Sequence, residues 1–228
     1  MKIFLDTANL AAIKMYNDMG LVDGITTNPS LLAKEGGDPQ KTMEEIVRIV
    51  IGDVSLEVLS IETSGMLEEG RRLRKYGNNV VVKCPLTPEG LKACKMLTVE
   101  GIPVNVTLCF SVNQAILAAK AGAKYVSPFI GRLDDNGQDG INLIREIHQV
   151  FQNYKFTTQL LVASVRHPIH VVESAKIGAE VVTLPPDILG KMLKHPLTDV
   201  GLKNFLADWE KIKKENPKIG RASCRERV

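Results

Sequence analysis

The chain has 228 residues, of which 44% are hydrophobic and 24% charged, a composition typical of a soluble globular protein with a sizeable core. Its formal net charge of +3 is too small to indicate nucleic-acid binding, and no dense basic run with interleaved aromatic residues occurs. No apolar run approaches the length of a membrane span, so neither nucleic acid nor a membrane is an expected partner.

The chain's first residues and its cysteines favour a cytoplasmic protein. The segment MKIFLDTAN predicts a strand rather than a signal peptide. The four cysteines, at 84, 94, 109 and 224, form no CxxC pair and have no histidine at metal-ligand spacing, which indicates reduced thiols. Residues 220–228 lack periodicity, and we expect them to be a foreign appended tail; the alternative is a genuine basic tail.

Eight short apolar runs alternate with longer amphipathic stretches along the chain. The runs predict strands at 2–6, 22–27, 54–59, 79–84, 102–107, 123–129, 158–164 and 179–184. Helical spacing of apolar residues occurs at 39–52, 65–77, 87–101, 111–122, 140–154 and 168–178, and an additional C-terminal helix is predicted at 197–215. Left-handed helix ends are predicted at Gly20, Gly77, Gly101, Gly122 and Gly178.

This alternation of strands and helices indicates parallel strand pairing with helical crossovers. Eight such units in about 200 residues predict an α/β fold, a (β/α)₈ TIM barrel with an extra C-terminal helix, as one domain over residues 1–219. The rival fold is a doubly wound open sheet, which requires a glycine-rich phosphate loop after the first strand. The segment LDTANL contains no glycine, so the barrel is favoured.

Polar side chains collect at the carboxyl ends of the predicted strands, where the active sites of such barrels lie. They are Asp6, Thr26, Asn28, Glu57, Lys83, Asn105, Thr107, Ser127 and Ser164, with Arg132 and Arg166 close behind. The pairs with i, i+2 spacing are Asn105/Thr107, Ser127/Phe129 and Ser164/Arg166. Because this spacing places both side chains on one face, and the outer face packs on helices, we expect the pairs to face into the barrel mouth.

The chemistry that suits this set begins with Lys83, which follows three valines. Partial desolvation there disfavours the charged form of its amine. A neutral amine attacks a carbonyl to give a Schiff base, whose iminium draws electrons from an adjacent carbon–carbon bond. Asp6 can take the proton of the leaving hydroxyl, and Glu57 can hold a water.

The remaining polar groups suit a sugar phosphate. Thr26, Asn28 and Asn105 can bind substrate hydroxyls. Arg132 and Arg166 suit a phosphate, which a planar guanidinium binds in a bidentate manner, and Ser164 adds a hydroxyl donor.

The catalytic and anion-binding candidates also have structural interpretations. Lys83 can be a structural lysine that is ion-paired to Asp6 or Glu57. Arg132, beside two aspartates in GRLDDNG, and Arg166 can each form a loop salt bridge.

The turn-forming segments have structural interpretations too. Asn28 in TTNPS can serve only to begin a helix. His167 and His170 flank a proline and are predicted to be capping or surface residues rather than metal ligands. It is the shared location of the polar residues at seven strand ends that favours a functional site.

Several segments are specific enough to indicate a family. They are FLDTAN (4–9), GITTNPSLLAKEG (24–36), VVVKCPLTPEGLKA (80–93), GIPVNVTLCFS (101–111), AGAKYVSPFIGRLDD (121–135), LLVASVRHPIHV (160–171) and HPLTDVGLKNFLADW (195–209). Together they resemble the transaldolase family, in particular its short bacterial form close to fructose-6-phosphate aldolase. The resemblance runs from residue 1 to about residue 215, and TTNPS together with VKxPxTxEG is highly specific.

The resemblance implies roles for the residues that match the family's motifs. Lys83 would form the Schiff base, Asp6 would be the acid/base, and Glu57 and Thr107 would hold the catalytic water. The dihydroxyacetone part would contact Thr26, Asn28, Asn105 and Ser127. The phosphate would contact Arg132, Ser164 and Arg166. No metal or organic cofactor is expected.

The implied reaction moves a dihydroxyacetone unit from sedoheptulose 7-phosphate to glyceraldehyde 3-phosphate, giving erythrose 4-phosphate and fructose 6-phosphate. This is a step of the pentose phosphate pathway. The alternative is an aldolase that releases free dihydroxyacetone, and such relatives carry glutamine and tyrosine where this chain has Glu57 and Phe129, the transaldolase pattern. A non-catalytic sugar-phosphate-binding protein would lack Lys83 or Asp6. Short relatives assemble as decamers, so a homo-oligomer is implied.

Overall fold

The computed structural model describes residues 1–216 of the protein. They fall into two compact units, residues 1–189 and a second that begins at Gly190. The predicted tail at 220–228 and the domain boundary before it lie outside the described residues.

The first unit contains a closed barrel of parallel strands, paired in chain order. The strands are β1 Lys2–Asp6, β2 Gly24–Thr26, β3 Asp53–Glu57, β4 Val80–Pro85, β5 Val104–Cys109, β6 Tyr125–Pro128, β7 Gln159–Val162 and β8 Val181–Leu184. The predicted TIM barrel is therefore confirmed.

Helices follow the strands along the chain. They are α1 Leu10–Asp18, α2 Pro29–Glu35, α3 Pro39–Ile49, α4 Thr63–Arg74, α5 Pro88–Val99, α6 Val112–Lys120, α7 Ile130–Asp135, α8 Gly140–Tyr154, α9 Pro168–Ile177 and α10 Pro186–Met192. Several begin with proline, whose fixed φ suits the first helical position. The predicted C-terminal helix is α11, Pro196–Glu215; none of its residues is buried, and its exposed apolar side chains include Phe205 and Trp209.

The barrel interior has two layers, because inward-facing residues recur every second position along a strand. The lower layer is an apolar plug of Phe4, Val81, Tyr125, Leu161 and Val181. In this plug the rings of Phe4 and Tyr125 meet edge to face. Two positions further along the same segments come Asp6, Lys83, Ser127, Ala163 and Thr183. The inner face of the barrel therefore changes from apolar to mainly polar within two residues along these segments.

Some local features differ from the sequence-based expectations, among them one glycine and the end of one strand. Left-handed conformations occur at four of the five predicted glycines, but Gly77 has none. A Cβ at Gly77 would lie 2.5 Å from Val47 Cγ1, so this glycine allows close packing instead. Strand β7 ends at Val162 rather than residue 164, and Ser164, two residues later, has a left-handed φ of 60°.

The described cysteines are Cys84, Cys94 and Cys109, and all three are buried free thiols. Burial raises the pKa of the Cys84 thiol to about 12, so the neighbour of Lys83 is an inert packing group rather than a second nucleophile. Within residues 1–216, no helix combines the length and the apolar character that crossing a membrane requires.

Candidate active site

A cavity of about 550 Å³ opens at the carboxyl ends of the strands. All the site residues predicted from the sequence line it. They are Asp6, Thr26, Asn28, Glu57, Lys83, Asn105, Thr107, Ser127, Phe129, Arg132, Ser164 and Arg166. We call Asp6, Thr26, Glu57, Lys83, Asn105, Thr107 and Ser127 the floor, since they lie on strands. We call Phe129, Arg132, Ser164 and Arg166 the rim, since they follow β6 and β7.

Lys83 lies at the centre of the floor and is only 5% exposed. Strand register pairs it with Glu57 on β3, and its Nζ lies 3.1 Å from Glu57 Oε2. The same Nζ donates a 3.1 Å hydrogen bond to the backbone carbonyl of Thr27. The ion pair anticipated as a structural alternative is therefore present, with Glu57 as the partner. It also places a proton acceptor beside the amine, which the amine must have in order to become a nucleophile.

Asp6 accepts a hydrogen bond from Thr26, which in turn contacts Thr183. Thr26 Oγ1 donates a 2.8 Å hydrogen bond to Asp6 Oδ1 and lies 2.7 Å from Thr183 Oγ1. Burial raises the pKa of Asp6 above its usual value, although the charges of Lys83 and Lys34 and the hydrogen bond from Thr26 lower it in part. A carboxylate with a raised pKa is a stronger base, which suits it to accept and return a proton.

Asn105 lies next to Lys83 on the side away from Glu57 and is held by a chain of hydrogen bonds. Ser127 Oγ donates to Asn105 Oδ1 at 2.6 Å, and Asn105 Nδ2 donates to Ser55 Oγ at 3.2 Å. These bonds fix the orientation of the amide. By contrast, Thr107 Oγ1 is buried and has no hydrogen-bond partner among the described residues, so it can bind a water or a ligand without breaking a contact.

The rim is more exposed than the floor and its two arginines differ. Arg132 is exposed, and its Cζ lies 4.9 Å from the centre of the Phe129 ring. No described carboxylate is paired with Arg132, so the salt bridge considered for it is not formed. Arg166 does pair with a carboxylate, since its Nη2 lies 2.8 Å from Asp135 Oδ2. Ser164 also lines the cavity, and its backbone carbonyl accepts a hydrogen bond from the N–H of Gly131.

Asn28 both caps a helix and lies at the cavity, the two locations considered for it from the sequence. Its side chain accepts a 3.0 Å hydrogen bond from the N–H of Leu31 and so caps α2, as TTNPS suggested. It also lines the cavity. Capping therefore fixes the side chain at the cavity wall.

Several polar residues of this region were not predicted from the sequence. Ser55 and Thr183 belong to the floor's hydrogen bonds, and their positions on the inward parity of β3 and β8 could have identified them. Lys34 on α2 also lines the cavity. His170 was placed at the surface, yet it is only 5% exposed and its Nε2 lies 3.0 Å from Asp134 Oδ2.

We found no preformed metal site in the part of the chain that the structure describes. No group of three or more histidine, cysteine, aspartate or glutamate side chains in residues 1–216 is arranged to hold an ion.

Comparison with known proteins identifies the family. The family model described as Transaldolase/Fructose-6-phosphate aldolase matches residues 3–216. A probable transaldolase of Nitrosopumilus maritimus is 71% identical over 96% of this chain and 99% of its own length. Those of Methanococcus maripaludis and Anaeromyxobacter dehalogenans are 60% and 58% identical, over 92% and 94% of this chain and 98% and 99% of their own lengths.

Solved structures of mandelate oxidase share the fold. Two of them superpose with TM-scores of 0.57 and 0.55 at 15% identity, over 81% of this chain. This chain spans 65% and 64% of theirs, a little under two thirds, so the likeness extends to the barrel architecture alone. The family match and the curated relatives, by contrast, cover nearly the whole sequence. The chain belongs to the transaldolase/fructose-6-phosphate aldolase family.

Proposed function

We propose that the protein is a transaldolase that transfers a dihydroxyacetone unit from sedoheptulose 7-phosphate to glyceraldehyde 3-phosphate. The products are erythrose 4-phosphate and fructose 6-phosphate. The observation that carries this proposal is a buried lysine, paired with a carboxylate, on the floor of a cavity whose rim holds two arginines.

The first step is attack of the Lys83 amine on the C2 carbonyl carbon of the donor ketose. Glu57, 3.1 Å from Nζ, takes the proton that the ammonium must lose. The resulting carbinolamine loses water, for which Glu57 returns the proton to the departing hydroxyl, and an iminium forms. Thr107, whose buried hydroxyl has no hydrogen-bond partner within residues 1–216, can hold that water.

The second step breaks the bond between C3 and C4. Asp6 removes the proton of the C4 hydroxyl, whose oxygen becomes the aldehyde of erythrose 4-phosphate. The bonding electrons move into the iminium and give an enamine on Lys83. The enamine C3 then attacks the aldehyde carbon of glyceraldehyde 3-phosphate, and Asp6 returns its proton to the new hydroxyl. Water releases fructose 6-phosphate and frees the amine.

The other cavity residues suit substrate binding. Asn105, Ser127, Asn28 and Thr26 present amide and hydroxyl groups to the hydroxyls of the three-carbon unit. Arg132, Ser164 and Arg166 present charge and donors to the phosphate of the aldehyde. The electron sink is the substrate's own iminium, so the proposed chemistry requires no metal or organic cofactor.

Transfer rather than release depends, in this proposal, on how long the enamine survives. Tyrosine at the position of Phe129 can orient a water or a proton towards the enamine, which releases free dihydroxyacetone. Phenylalanine has no hydroxyl, so the enamine persists until an acceptor aldehyde binds. Glu57 and Phe129 therefore favour transaldolase over fructose-6-phosphate aldolase, the second candidate.

The test is release of glyceraldehyde 3-phosphate from fructose 6-phosphate, with and without erythrose 4-phosphate. Sustained release only when erythrose 4-phosphate is present supports transaldolase. Equal release without it, accompanied by free dihydroxyacetone, identifies an aldolase. No release in either case contradicts both candidates.

The cellular setting belongs to the same proposal. The substrates place the enzyme in the pentose phosphate pathway, and the buried free thiols agree with a cytoplasmic location. A homo-oligomer is also proposed, supported by the exposed apolar side chains of α11. Gel filtration with light scattering tests this last point.

A further inference from the structure

His170 is a buried side chain near the cavity to which the proposed reaction gives no role. It is the third residue of α9, and its ring is engaged on both nitrogens. Nε2 lies 3.0 Å from Asp134 Oδ2, and Nδ1 accepts a 3.3 Å hydrogen bond from the backbone N–H of Arg166. A histidine with both ring nitrogens engaged is fixed in orientation, and its acceptor nitrogen must be unprotonated.

The two partners of His170 belong to the two segments that carry the rim. Asp134 lies on α7, two residues after Arg132, and the other partner is the backbone of Arg166 itself. A buried imidazole therefore spans the gap between the helix that holds one arginine and the loop that holds the other.

Other contacts between these segments agree with this arrangement. Arg166 Nη2 pairs with Asp135 Oδ2 at 2.8 Å, and the N–H of Gly131 donates to the carbonyl of Ser164 at 3.1 Å. A Cβ at Gly131 would lie 2.1 Å from that carbonyl oxygen and 2.6 Å from Arg166 Nε. The two segments thus meet at backbone distance, and any change in their separation moves both guanidinium groups.

We propose that His170 is a positioning residue of the anion site, whose neutral ring sets the separation of the Arg132 and Arg166 segments and thereby the affinity for the substrate phosphate. The inference rests on the proposed function in one respect, the assignment of the rim as the phosphate site.

Protonation of His170 is expected to weaken the site. Because Nδ1 accepts from Arg166, the neutral ring carries its proton on Nε2 and donates it to Asp134. A second proton on Nδ1 would face the Arg166 N–H and break that hydrogen bond. The charged or titratable groups that face the ring are Asp134, His167 and Arg166. Burial lowers the pKa of His170, and so do the charges of His167 and Arg166, whereas Asp134 raises it in part. The neutral form therefore predominates at neutral pH, and the contact fails in acid.

The first test compares acceptors with and without a phosphate. His170→Ala removes both contacts, and His170→Asn keeps an acceptor where Nδ1 stood. We expect His170→Ala to raise the KM for glyceraldehyde 3-phosphate about tenfold and His170→Asn to restore part of this, as two lost hydrogen bonds at a charged site imply. The KM for unphosphorylated glyceraldehyde, and kcat with either acceptor, should change less than about twofold. His148→Asn, a histidine on α8 away from the cavity, is the matched control.

The second test measures anion binding without catalysis. Sulfate keeps its charge between about pH 8 and pH 5, so calorimetric titration with sulfate isolates the protein's own titration. We expect affinity to fall in acid for the unaltered protein and to be weak with a flatter pH dependence in His170→Ala. Asp134→Asn removes the group that favours the charged ring, so it should shift the loss of affinity to lower pH. That variant keeps His170 and serves if His170→Ala fails to fold.

The outcomes separate the two claims. If the unaltered protein binds sulfate but every variant binds it equally with the same pH profile, His170 has no positioning role, while the rim remains the anion site. If the unaltered protein binds no sulfate and uses glyceraldehyde as well as its phosphate, the rim itself is wrongly assigned. The inference then fails together with that part of the proposed function.

Discussion

The floor and the rim of the cavity are built in different ways. Floor side chains lie on strands, where register sets neighbours such as Glu57 and Lys83 side by side and burial holds them there. Rim side chains lie beyond the strands, and contacts between α7 and the segment after β7 hold them. Charges interact far more strongly in the buried floor than at the exposed rim.

This difference suggests a division of labour. Proton transfer and covalent chemistry depend on fixed, desolvated groups, which the floor provides. Capture of a phosphate dianion tolerates solvent, and the exposed guanidinium groups of the rim suit it. We therefore expect changes in the floor to lower kcat and changes to the two arginines of the rim to raise KM for phosphorylated substrates only.

The largest effect is expected from Lys83→Arg. Arginine keeps the positive charge beside Glu57 but cannot form the Schiff base, so kcat should fall by at least about 10⁴-fold. Circular dichroism and thermal unfolding would show whether the fold is retained. A folded variant with full activity would mean that Lys83 is structural and that the floor does no covalent chemistry.

Asp6→Asn is expected to have the next largest effect. Loss of the base should lower kcat by about 10²- to 10⁴-fold, while the Schiff base still forms on Lys83. The raised pKa of Asp6 also predicts that kcat of the unaltered protein declines with falling pH above the usual range for aspartate, because the base is lost as it takes up a proton. A retained acidic limb in Asp6→Asn would assign that limb to another group.

Substitution of either rim arginine should act on binding alone. Arg132→Ala and Arg166→Ala should each raise KM for glyceraldehyde 3-phosphate roughly 10- to 100-fold, the range for a charge-assisted hydrogen bond, and leave kcat nearly unchanged. Arg145→Ala on α8, outside the cavity, is the matched control. A fall in kcat with unchanged KM would remove the distinction between floor and rim.

The smallest effect is expected from Phe129→Tyr, at the junction of the two regions. One added hydroxyl should raise the rate of acceptor-free cleavage of fructose 6-phosphate about fivefold, the factor that corresponds to the free energy of one hydrogen bond. Product analysis for free dihydroxyacetone measures this directly. An unchanged rate would show that Phe129 does not decide between transfer and release.

The floor could be predicted from the sequence more fully than the rim. Strand parity alone relates the apolar plug residue Val81 to Lys83, and Phe4 to Asp6, so a local pattern located these groups. Even so, the ion-pair partner of Lys83 depends on the register between strands. The sequence does not show that register, so both Asp6 and Glu57 remained possible partners.

The rim depends on contacts that no local pattern encodes. Strand β7 ends earlier than its apolar run suggested, with Ser164 beyond it in a left-handed conformation, and the short helix α7 was not predicted. His170 follows a proline like a surface residue, and only the fold brings it to Asp134. Gly77 likewise marks close packing against Val47 rather than a left-handed turn.

The most direct test of the account is reductive trapping. The protein is incubated with fructose 6-phosphate, reduced with borohydride, digested and analysed by mass spectrometry. We predict a stable adduct of the reduced ketose or its three-carbon fragment on the peptide that contains Lys83, and none in Lys83→Arg. Absence of an adduct, or an adduct on another lysine such as Lys34, would contradict the central claim that Lys83 is the nucleophile.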